Sequence, residues 1–188
     1  MANKVKYGLS NCYYAVIDDT NGTYGTPVAL PGAVNLSLDQ EGETNNFRAD
    51  NIDYYVSVSN NGYSGELELA LIPDSFLTTV MGEQTDATAG LQYELSDAKP
   101  KAFALLFQFE GDVNATRHVF YNCKATRPTV NSQTTDTSIE PVTETINITA
   151  IAKEMTINNA TKQVVKAKCK EGDSSYSTFF TTVAVPGA

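Results

Sequence analysis

The sequence predicts a mainly β fold in a single domain, with one short helix. Apolar and polar residues alternate with a period of two in segment after segment, which is the pattern of half-buried strands. The dipeptide Asn61-Gly62 separates two such segments, and both residues tolerate the positive φ that a tight hairpin turn requires. A chain of 188 residues has the length of one domain and is long enough to bury a core.

The two segments on either side of that turn predict a hairpin with one solvent-exposed face. The segment YYVSVS (54–59) places its first tyrosine and both valines on one side of a strand. The segment ELELALI (66–72) places three leucines on one side and two glutamates on the other. We therefore expect these two strands to pair with each other across Asn61-Gly62.

One segment, PDSFLTTVMG (73–82), predicts a helix. Pro73 suits the first helical position, where its missing N–H costs nothing, and Asp74 complements the positive end of the helix. Four apolar residues then share one face, and Gly82 can end the helix.

Later segments predict further strands. AFALLFQFE (102–110) places three phenylalanines and a leucine on one side, so we expect it at the centre of the core. VTETINITAIA (142–152) is rich in β-branched residues, and one of its faces is polar but uncharged. STFFTTVAV (177–185) alternates similarly, and TKQVVKAKCK (161–170) predicts a strand whose lysine-rich outer face discourages edge-to-edge pairing.

The segment RHVFYNCKA (117–125) contains the only histidine and one of three cysteines, yet it predicts a strand and not a catalytic site. A single histidine excludes sites that need two imidazoles, and no nucleophile-elbow, phosphate-loop, dinucleotide or calcium-loop motif occurs. The cysteines are far apart and lack the spacing of a metal or redox motif, so we expect small, half-buried side chains. We therefore predict no enzymatic activity and no cofactor.

Charge argues against a nucleic-acid-binding protein. The chain has 22 acidic and 13 basic residues, a formal net charge of −9. Binding through phosphate contacts needs clustered Lys and Arg, which this composition does not favour. No apolar run approaches the ~20 residues of a membrane helix, and the N-terminus lacks the apolar stretch of a signal peptide. We expect a domain that folds in the cytoplasm, makes no membrane contact, and acts by presenting surfaces to partners.

Two polar, aperiodic segments, about 39–53 and 128–141, predict long loops. Loops of this length within a compact domain are commonly functional. Phe47 is an isolated aromatic residue in the first of them.

Beyond these patterns, the sequence resembles a known family from about Val5 to about Ala152. The segments that carry the resemblance are YGLSNCYYAVI, YGTPVALPGAVNLSLDQEGE, ADNIDYYVSVSNNGYSGELELALIPDSFL, KPKAFALLFQFEGDVNATRHVFYNCKATRP and IEPVTETINITA. The most specific stretches are NNGYSGELELALIPD and FEG…ATRH…YNC…ATRP. They are similar to the major tail protein family of long-tailed bacteriophages, of the type common in phages of staphylococci and related Gram-positive hosts.

This resemblance implies a structural virion protein, a single tail tube domain over residues 1–188. Family members fold as a β-sandwich or half-open barrel with a flanking helix, and they form hexameric rings that stack into a tube. The implied partners are further copies of the chain, the tape measure protein, and the tail initiator (baseplate) and tail terminator proteins; DNA passes through without specific binding. The implied location is the virion tail, with the host cytoplasm during assembly.

The resemblance also gives the polar strands and the first loop candidate roles. Acidic side chains lining the tube would repel DNA phosphates over a Debye length of ~8 Å. The strands SGELELAL and VTETINITA are the candidate lumen wall, with an ordinary solvent-facing strand as the alternative. Phe47 would anchor the loop at 39–53 in a neighbouring subunit or ring, unless it folds back on its own domain. The candidate lumen-facing acids are Glu66, Glu68 and Glu144. The candidate residues of the inter-subunit loop are Glu43, Phe47, Arg48 and Asp50.

A surface module that binds carbohydrate is the alternative function. The chain has 10 tyrosines, some of which would form a stacking platform for sugars. Two features argue against it: the chain has no tryptophan, and tyrosines occur on both faces of the predicted strands. The candidate platform residues are Tyr13, Tyr14, Tyr54, Tyr55 and Tyr63.

Overall fold

Strands dominate the part of the chain that the computed structural model describes, which is residues 5, 7–130, 132, 134 and 141–187. In chain order the strands are β1 (Leu9–Val16), β2 (Val28–Ala29), β3 (Ala33–Glu41), β4 (Thr44–Ala49), β5 (Ile52–Val58), β6 (Gly62–Leu69), β7 (Gln84–Asp86), β8 (Leu91–Tyr93), β9 (Phe103–Phe109), β10 (Arg117–Ala125), β11 (Glu144–Ala150), β12 (Lys153–Ile157), β13 (Ala160–Val164) and β14 (Lys166–Cys169). A short helix, α1 (Asp74–Phe76), continues directly as a π-helical turn (Leu77–Met81). The predicted mainly β fold is confirmed. Within these described residues, no helix has the length and hydropathy needed to cross a membrane.

One antiparallel sheet organises the fold, in the order β2-β1-β9-β10-β11-β6-β3, with β14 added beside β10. The sheet curls until its two ends approach each other, and the short connection from β2 to β3 bridges them. The Leu30 N–H donates to the Cys12 carbonyl at 2.8 Å, and the Ala70 N–H donates to the Gly32 carbonyl at 2.8 Å. No ladder joins the two ends within the described residues, so the sheet forms a half-open barrel.

Strand β9 separates two cores because both of its faces are apolar. Phe103 and Leu105 face the inside of the barrel, while Leu106 faces the outside, and all three are buried. The inner core is closed by Phe76 of α1 and the π-helical turn. The outer core lies under β12 and the C-terminal segment, which includes Phe179. The sequence prediction placed this strand at the centre of one core; the structure places it between two.

The predicted pairing of 54–59 with 66–72 is wrong. Strand β5 pairs with β4, and β6 pairs instead with β3 and β11. The segment between β5 and β6, with Asn61-Gly62, is not a hairpin turn, because the two strands belong to different ladders. Strand β6 also ends at Leu69, which leaves Leu71 exposed and not on the core face as expected.

The predicted position of the helix, 73–82, is confirmed, but its first residue and its regularity differ from the prediction. Pro73 lies before the helix with an extended backbone (φ −65°, ψ 139°), so Asp74 is the first helical residue. The Thr79 hydroxyl donates to the Ser75 carbonyl at 2.5 Å, an oxygen that a regular helix would offer to a backbone N–H. Gly82, at φ 82°, ends the segment as predicted.

The C-terminal segment, predicted as a strand over 177–185, is a run of turns. The Thr182 N–H donates to the Thr178 carbonyl at 2.9 Å, and the buried residues Phe179 and Val183 are four positions apart, not two. Arg117 holds this segment on the outer core, since its guanidinium lies 3.7 Å and 4.6 Å from the centroids of two rings, those of Tyr176 and Phe180.

Strand β10 confirms the strand prediction for 117–125, with one irregularity. A β-bulge between Phe120 and Cys123 moves later side chains to the opposite face. Val119 therefore faces the outer core and Cys123 the inner one, although the sequence pattern placed both on one face. The second predicted strand of this region, 161–170, is divided at Val165 into β13, which pairs with β12, and β14, which pairs with β10.

The three cysteines are free, and all are buried, where the sequence predicts half-buried side chains. The predicted loop at 128–141 lies largely outside the described residues, which omit 131, 133 and 135–140.

Candidate assembly surfaces

A two-stranded hairpin projects from the main sheet where the sequence predicted an aperiodic loop. Strands β4 and β5 form it, and we call residues 44–58 the arm. At its base the Ser59 N–H donates to the Glu43 carbonyl at 2.9 Å. At its tip Asp50 (φ 52°) and Asn51 (φ 64°) both adopt the left-handed conformation of a tight hairpin turn. The predicted loop at 39–53 is therefore wrong as a loop: its first residues complete β3 and its remainder forms the arm.

The arm exposes apolar side chains on both of its faces. Phe47 lies directly opposite Tyr55 across the ladder, and each is 63% exposed. The other large exposed side chains of the arm are Ile52, Tyr54, Val56 and Val58. An isolated two-stranded hairpin is marginally stable in water, and a contiguous exposed apolar patch marks an interaction site. The arm therefore has the character of an interface element.

The four candidate loop residues occupy different parts of the arm and its base. Glu43 closes the base, where its N–H makes a second contact by donating to the Ser59 hydroxyl oxygen at 2.9 Å. Phe47 does not fold back on its own domain, which removes that alternative. Arg48 pairs with Asp53 at 3.2 Å between Nε and Oδ1, and Asp50 lies in the tip. Because both partners of this ion pair are exposed, it adds little stability, and its main effect is to orient the Arg48 side chain.

The second surface is the outer face of β3, β6 and β11, which we call the polar face. Residues of the three strands align in cross-strand rows: Asn35 with Glu68 and Thr145, Ser37 with Glu66 and Asn147, and Asp39 with Ser64 and Thr149. Every one of these side chains is exposed or half-buried, and none is apolar. The opposite face of the same strands carries the leucines and isoleucines of the inner core. Strict alternation along three neighbouring strands thus produces a broad polar wall.

Negative charge predominates on the polar face. Its carboxylates are those of Asp39, Glu41, Glu66 and Glu68, and Lys124 stands at its border, paired with Thr149 across the ladder. The Thr143 hydroxyl donates to Glu68 Oε1 at 2.5 Å, and the Ser64 hydroxyl donates to the carboxylate of Glu41. The ion pairs found among the described residues lie elsewhere, at Arg48–Asp53 and Arg127–Glu94. The polar face therefore carries a net negative charge that is not neutralised by paired cations.

The structure brings two of the three candidate lumen acids together. Glu66 and Glu68 lie two positions apart on the polar face. Glu144 lies opposite Leu69 on the other face of the sheet, where its Oε2 accepts the Ile72 N–H at 2.7 Å. Glu144 thus stabilises the turn after β6, and it does not belong to the same surface as Glu66 and Glu68.

Sequence reasoning missed two acids of the polar face. Asp39 and Glu41 were assigned to the aperiodic loop, whereas they continue the alternation of β3. The signal was present in NLSLDQE, where Leu36 and Leu38 alternate with polar residues.

Within the described residues no strand pairs with the outer side of β3, and this free edge borders the polar face. This strand is nine residues long and stands at one end of the main sheet, while the other end is the two-residue strand β2. Long exposed edges are unusual in isolated domains because their unpaired N–H and C=O groups template pairing with another chain.

The tyrosines proposed as a carbohydrate platform do not form one surface. Tyr14 is buried in the inner core, and Tyr13 stacks on Phe180 with ring centroids 4.9 Å apart. Tyr54 and Tyr55 are adjacent on β5, so they point to opposite faces of the arm. Within the described residues, no cluster of His, Cys, Asp and Glu is arranged to hold a metal ion.

Comparison with known proteins finds a matching family model and a similar solved fold. The model of the phage tail tube protein family matches residues 2–182. No curated protein matches the sequence. Among solved structures, the fold is similar to the cap that terminates the tube of the anti-feeding prophage, with a TM-score of 0.45 and 11% identity over 88% of this chain and 93% of that one. On the strength of the family model, which spans nearly the whole sequence, the chain belongs to the phage tail tube protein family.

Proposed function

We propose that this chain, as one tail tube domain, forms hexameric rings that stack around a tape measure protein into a conduit for DNA, between an initiator and a terminator complex. The observation that carries the proposal is the arm, whose apolar side chains are exposed on both faces. Neither face is covered by the described residues of the monomer, so a second copy of the chain is the natural partner for a protein of this family. Assembly in the host cytoplasm would then bury the arm.

The free edge of β3 supports ring formation. Joining this edge to a neighbouring sheet would pair its open N–H and C=O groups and extend the barrel around a ring, which removes the exposed edge by closure. The polar face would then become part of a continuous wall. This role needs no catalysis, and we infer that the protein acts without enzymatic activity.

The negative charge of the polar face supports its assignment to the wall of a lumen through which DNA passes without binding. Its carboxylates repel phosphates over a distance of ~8 Å at physiological salt, which is comparable to the gap between a duplex and a closely fitting wall. In this arrangement Glu66 and Glu68 face the lumen, together with Asp39. Glu144 contributes only to folding.

The decisive test is electron microscopy and light scattering of the concentrated protein, beside a variant without the arm. Replacing residues 44–58 by an Asn-Gly turn keeps the closing contact between Glu43 and Ser59, and so preserves the main sheet. The wild-type protein should form rings or hollow tubes, and the armless variant should remain a folded monomer. Tubes of normal length from the armless protein would contradict the proposed role of the arm.

The lumen assignment is tested in assembled virions by charge reversal. Glu66→Lys combined with Glu68→Lys should slow or arrest DNA ejection, because phosphates would bind the wall. The matched control, Glu154→Lys with Glu171→Lys, changes the net charge equally at exposed positions outside the polar face. Equal ejection from both variants would place Glu66 and Glu68 outside the lumen.

A further inference from the structure

An open groove lies where the main sheet divides. The first half of β10 pairs with β14 and its second half pairs with β11, so the two neighbours of β10 separate. The resulting groove, which we call the split groove, has a volume of about 220 Å³. Its lining residues are Leu36, Leu38, Tyr63, Phe107, Phe109, His118, Val119, Phe120, Lys166 and Ala167.

The floor of the split groove is aromatic. The rings of Phe107 and His118 stack in parallel with centroids 5.3 Å apart, and Phe109 meets both at 5.4–5.5 Å. Phe120 extends this floor, stacked on Phe107 at 6.1 Å. An aromatic floor of this kind favours a planar apolar side chain, which it can contact in offset-stacked or edge-to-face geometry.

The groove is large enough for one aromatic ring, and one of its walls is cationic. An apolar cavity of ~150 Å³ is large enough to accept benzene, so 220 Å³ accommodates a phenyl or phenol ring. The ammonium of Lys166 stands 4.3 Å from the centroid of the Tyr63 ring at the wall. Lys168, which pairs with His118 across the ladder, adds a second exposed cation on the same side.

The arm has the matching features. Phe47 and Tyr55 form a cross-strand aromatic pair, and the carboxylate of Asp50 lies at the tip of the arm, beside Asp53, whose charge is paired with Arg48. We propose that the split groove of one copy receives an aromatic side chain of this pair from the arm of a neighbouring copy, with the Asp50 carboxylate facing the lysine wall. This inference rests on the proposed assembly into rings and names the surface that the arm contacts.

The position of the groove indicates which neighbouring subunit supplies the arm. The arm continues β3 and β6 beyond Glu41 and Gly62, and the core-facing residues next to that point, Leu38 and Tyr63, form one wall of the groove. Arm and groove therefore lie at the same end of the domain. Because the proposed edge-to-edge joining of sheets around a ring sets β3 and β6 across the plane of the ring, their two ends face opposite neighbouring rings. Stacking of rings would then bring opposite ends of two subunits together, whereas rotation within one ring leaves the arm of one subunit level with the groove of the next. The arm strand of seven residues spans roughly 20 Å, enough to reach a lateral neighbour in the same ring.

Site-directed crosslinking tests the contact. Tyr55→Cys and Lys166→Cys are made as separate variants, mixed, assembled, and treated with a short bis-maleimide; peptide mass spectrometry identifies the linked positions. The three native cysteines are buried and serve as unreactive background, checked with the wild-type protein. The control mixture pairs Tyr55→Cys with Lys124→Cys, an exposed lysine at the border of the polar face. We expect a link between positions 55 and 166 at least tenfold above the control link.

The outcomes separate this inference from the proposed function. Rings or tubes without the 55–166 link, or with an equal link to position 124, would overturn the groove assignment and leave the tube proposal standing. The 55–166 link in small oligomers that never become rings would support the groove assignment and contradict the proposed hexameric ring. Wild-type protein that forms neither rings nor tubes, beside a mixture without the 55–166 link, would overturn both.

Discussion

The aromatic pair of the arm offers a quantitative test of assembly. Phe47 and Tyr55 are each 63% exposed in the monomer. An aromatic side chain buries ~150–250 Å² when it is fully covered, so roughly 100–150 Å² of each remains to be covered by a partner. At ~25 cal/mol per Å² this area corresponds to about 2.5–4 kcal/mol per ring.

Truncating either ring should therefore weaken assembly and leave the fold intact. Alanine retains part of the contact. We therefore expect Phe47→Ala or Tyr55→Ala to weaken the free energy of association at each contact between subunits by about 2–3 kcal/mol, which raises the dissociation constant roughly 30- to 150-fold. The free energy of unfolding of the monomer should change by less than ~0.5 kcal/mol, because both rings are largely exposed before assembly.

Two measurements on each variant check this reasoning. Light scattering gives the critical concentration for polymerisation, and urea titration gives the stability of the monomer. The matched control is Asn45→Ala with Ser57→Ala, a cross-strand pair of the same arm that has no aromatic ring. Polymerisation of either aromatic variant at the wild-type critical concentration, or an equal loss in the control, would refute the role assigned to the rings.

Three further predictions concern the fold that presents these surfaces. Arg117→Ala should lower the free energy of unfolding by about 2 kcal/mol in urea titrations, because two aromatic rings of the C-terminal segment lose their cation; an unchanged midpoint would contradict this. Burial raises the pKa of Tyr121, whose hydroxyl donates to the Ala184 carbonyl, from 10.0 to about 12. The unfolded chain therefore ionises first, so this stabilisation is complete below pH 10 and is lost as the pH rises towards 12; Tyr121→Phe should reduce the loss in urea titrations over that window. Gly65→Ala should destabilise the fold by about 2 kcal/mol or more on thermal unfolding, since the new Cβ would lie 1.9 Å from the Ser37 carbonyl oxygen; a wild-type melting temperature would show that β3 can move away.

Local patterns located β5, β6, β9, β10, β11 and the helical segment correctly, whereas they named no strand for β1 to β4, β7, β8 or β12. The alternation in AFALLFQFE and RHVFYNCKA defines β9 and β10, and the apolar face of PDSFLTTVMG defines the helical segment. These predictions hold because strand and helix periodicity reflect how a side chain alternates relative to its own backbone. The same logic assigned Glu66 and Glu68 to a common outer face. It fails for STFFTTVAV, where a threonine-rich sequence that suits a strand folds as turns on the outer core.

Pairing partners and shared surfaces were beyond the reach of local pattern. Alternation in YYVSVS predicts a strand but does not state which strand it joins, and β5 pairs with β4 and leaves the main sheet. The alternation predicts that the valines and the first tyrosine of β5 face a core, although they are exposed on the arm. A bulge in β10 likewise exchanges the faces of later residues without any change in the sequence pattern.

The sequence by itself determined the mainly β fold, the position of the helix and the acidic character of β6. Its resemblance to a tail protein family pointed to the same family that the family model identifies. Only the tertiary structure decided that 44–58 is an apolar arm, that the polar residues of β3, β6 and β11 align in rows, that Glu144 faces away from them, and that a groove opens beside β14. The physical reason is that periodicity is set by each residue's own backbone, whereas a surface for assembly depends on which distant strands are hydrogen-bonded side by side and on which faces they leave uncovered.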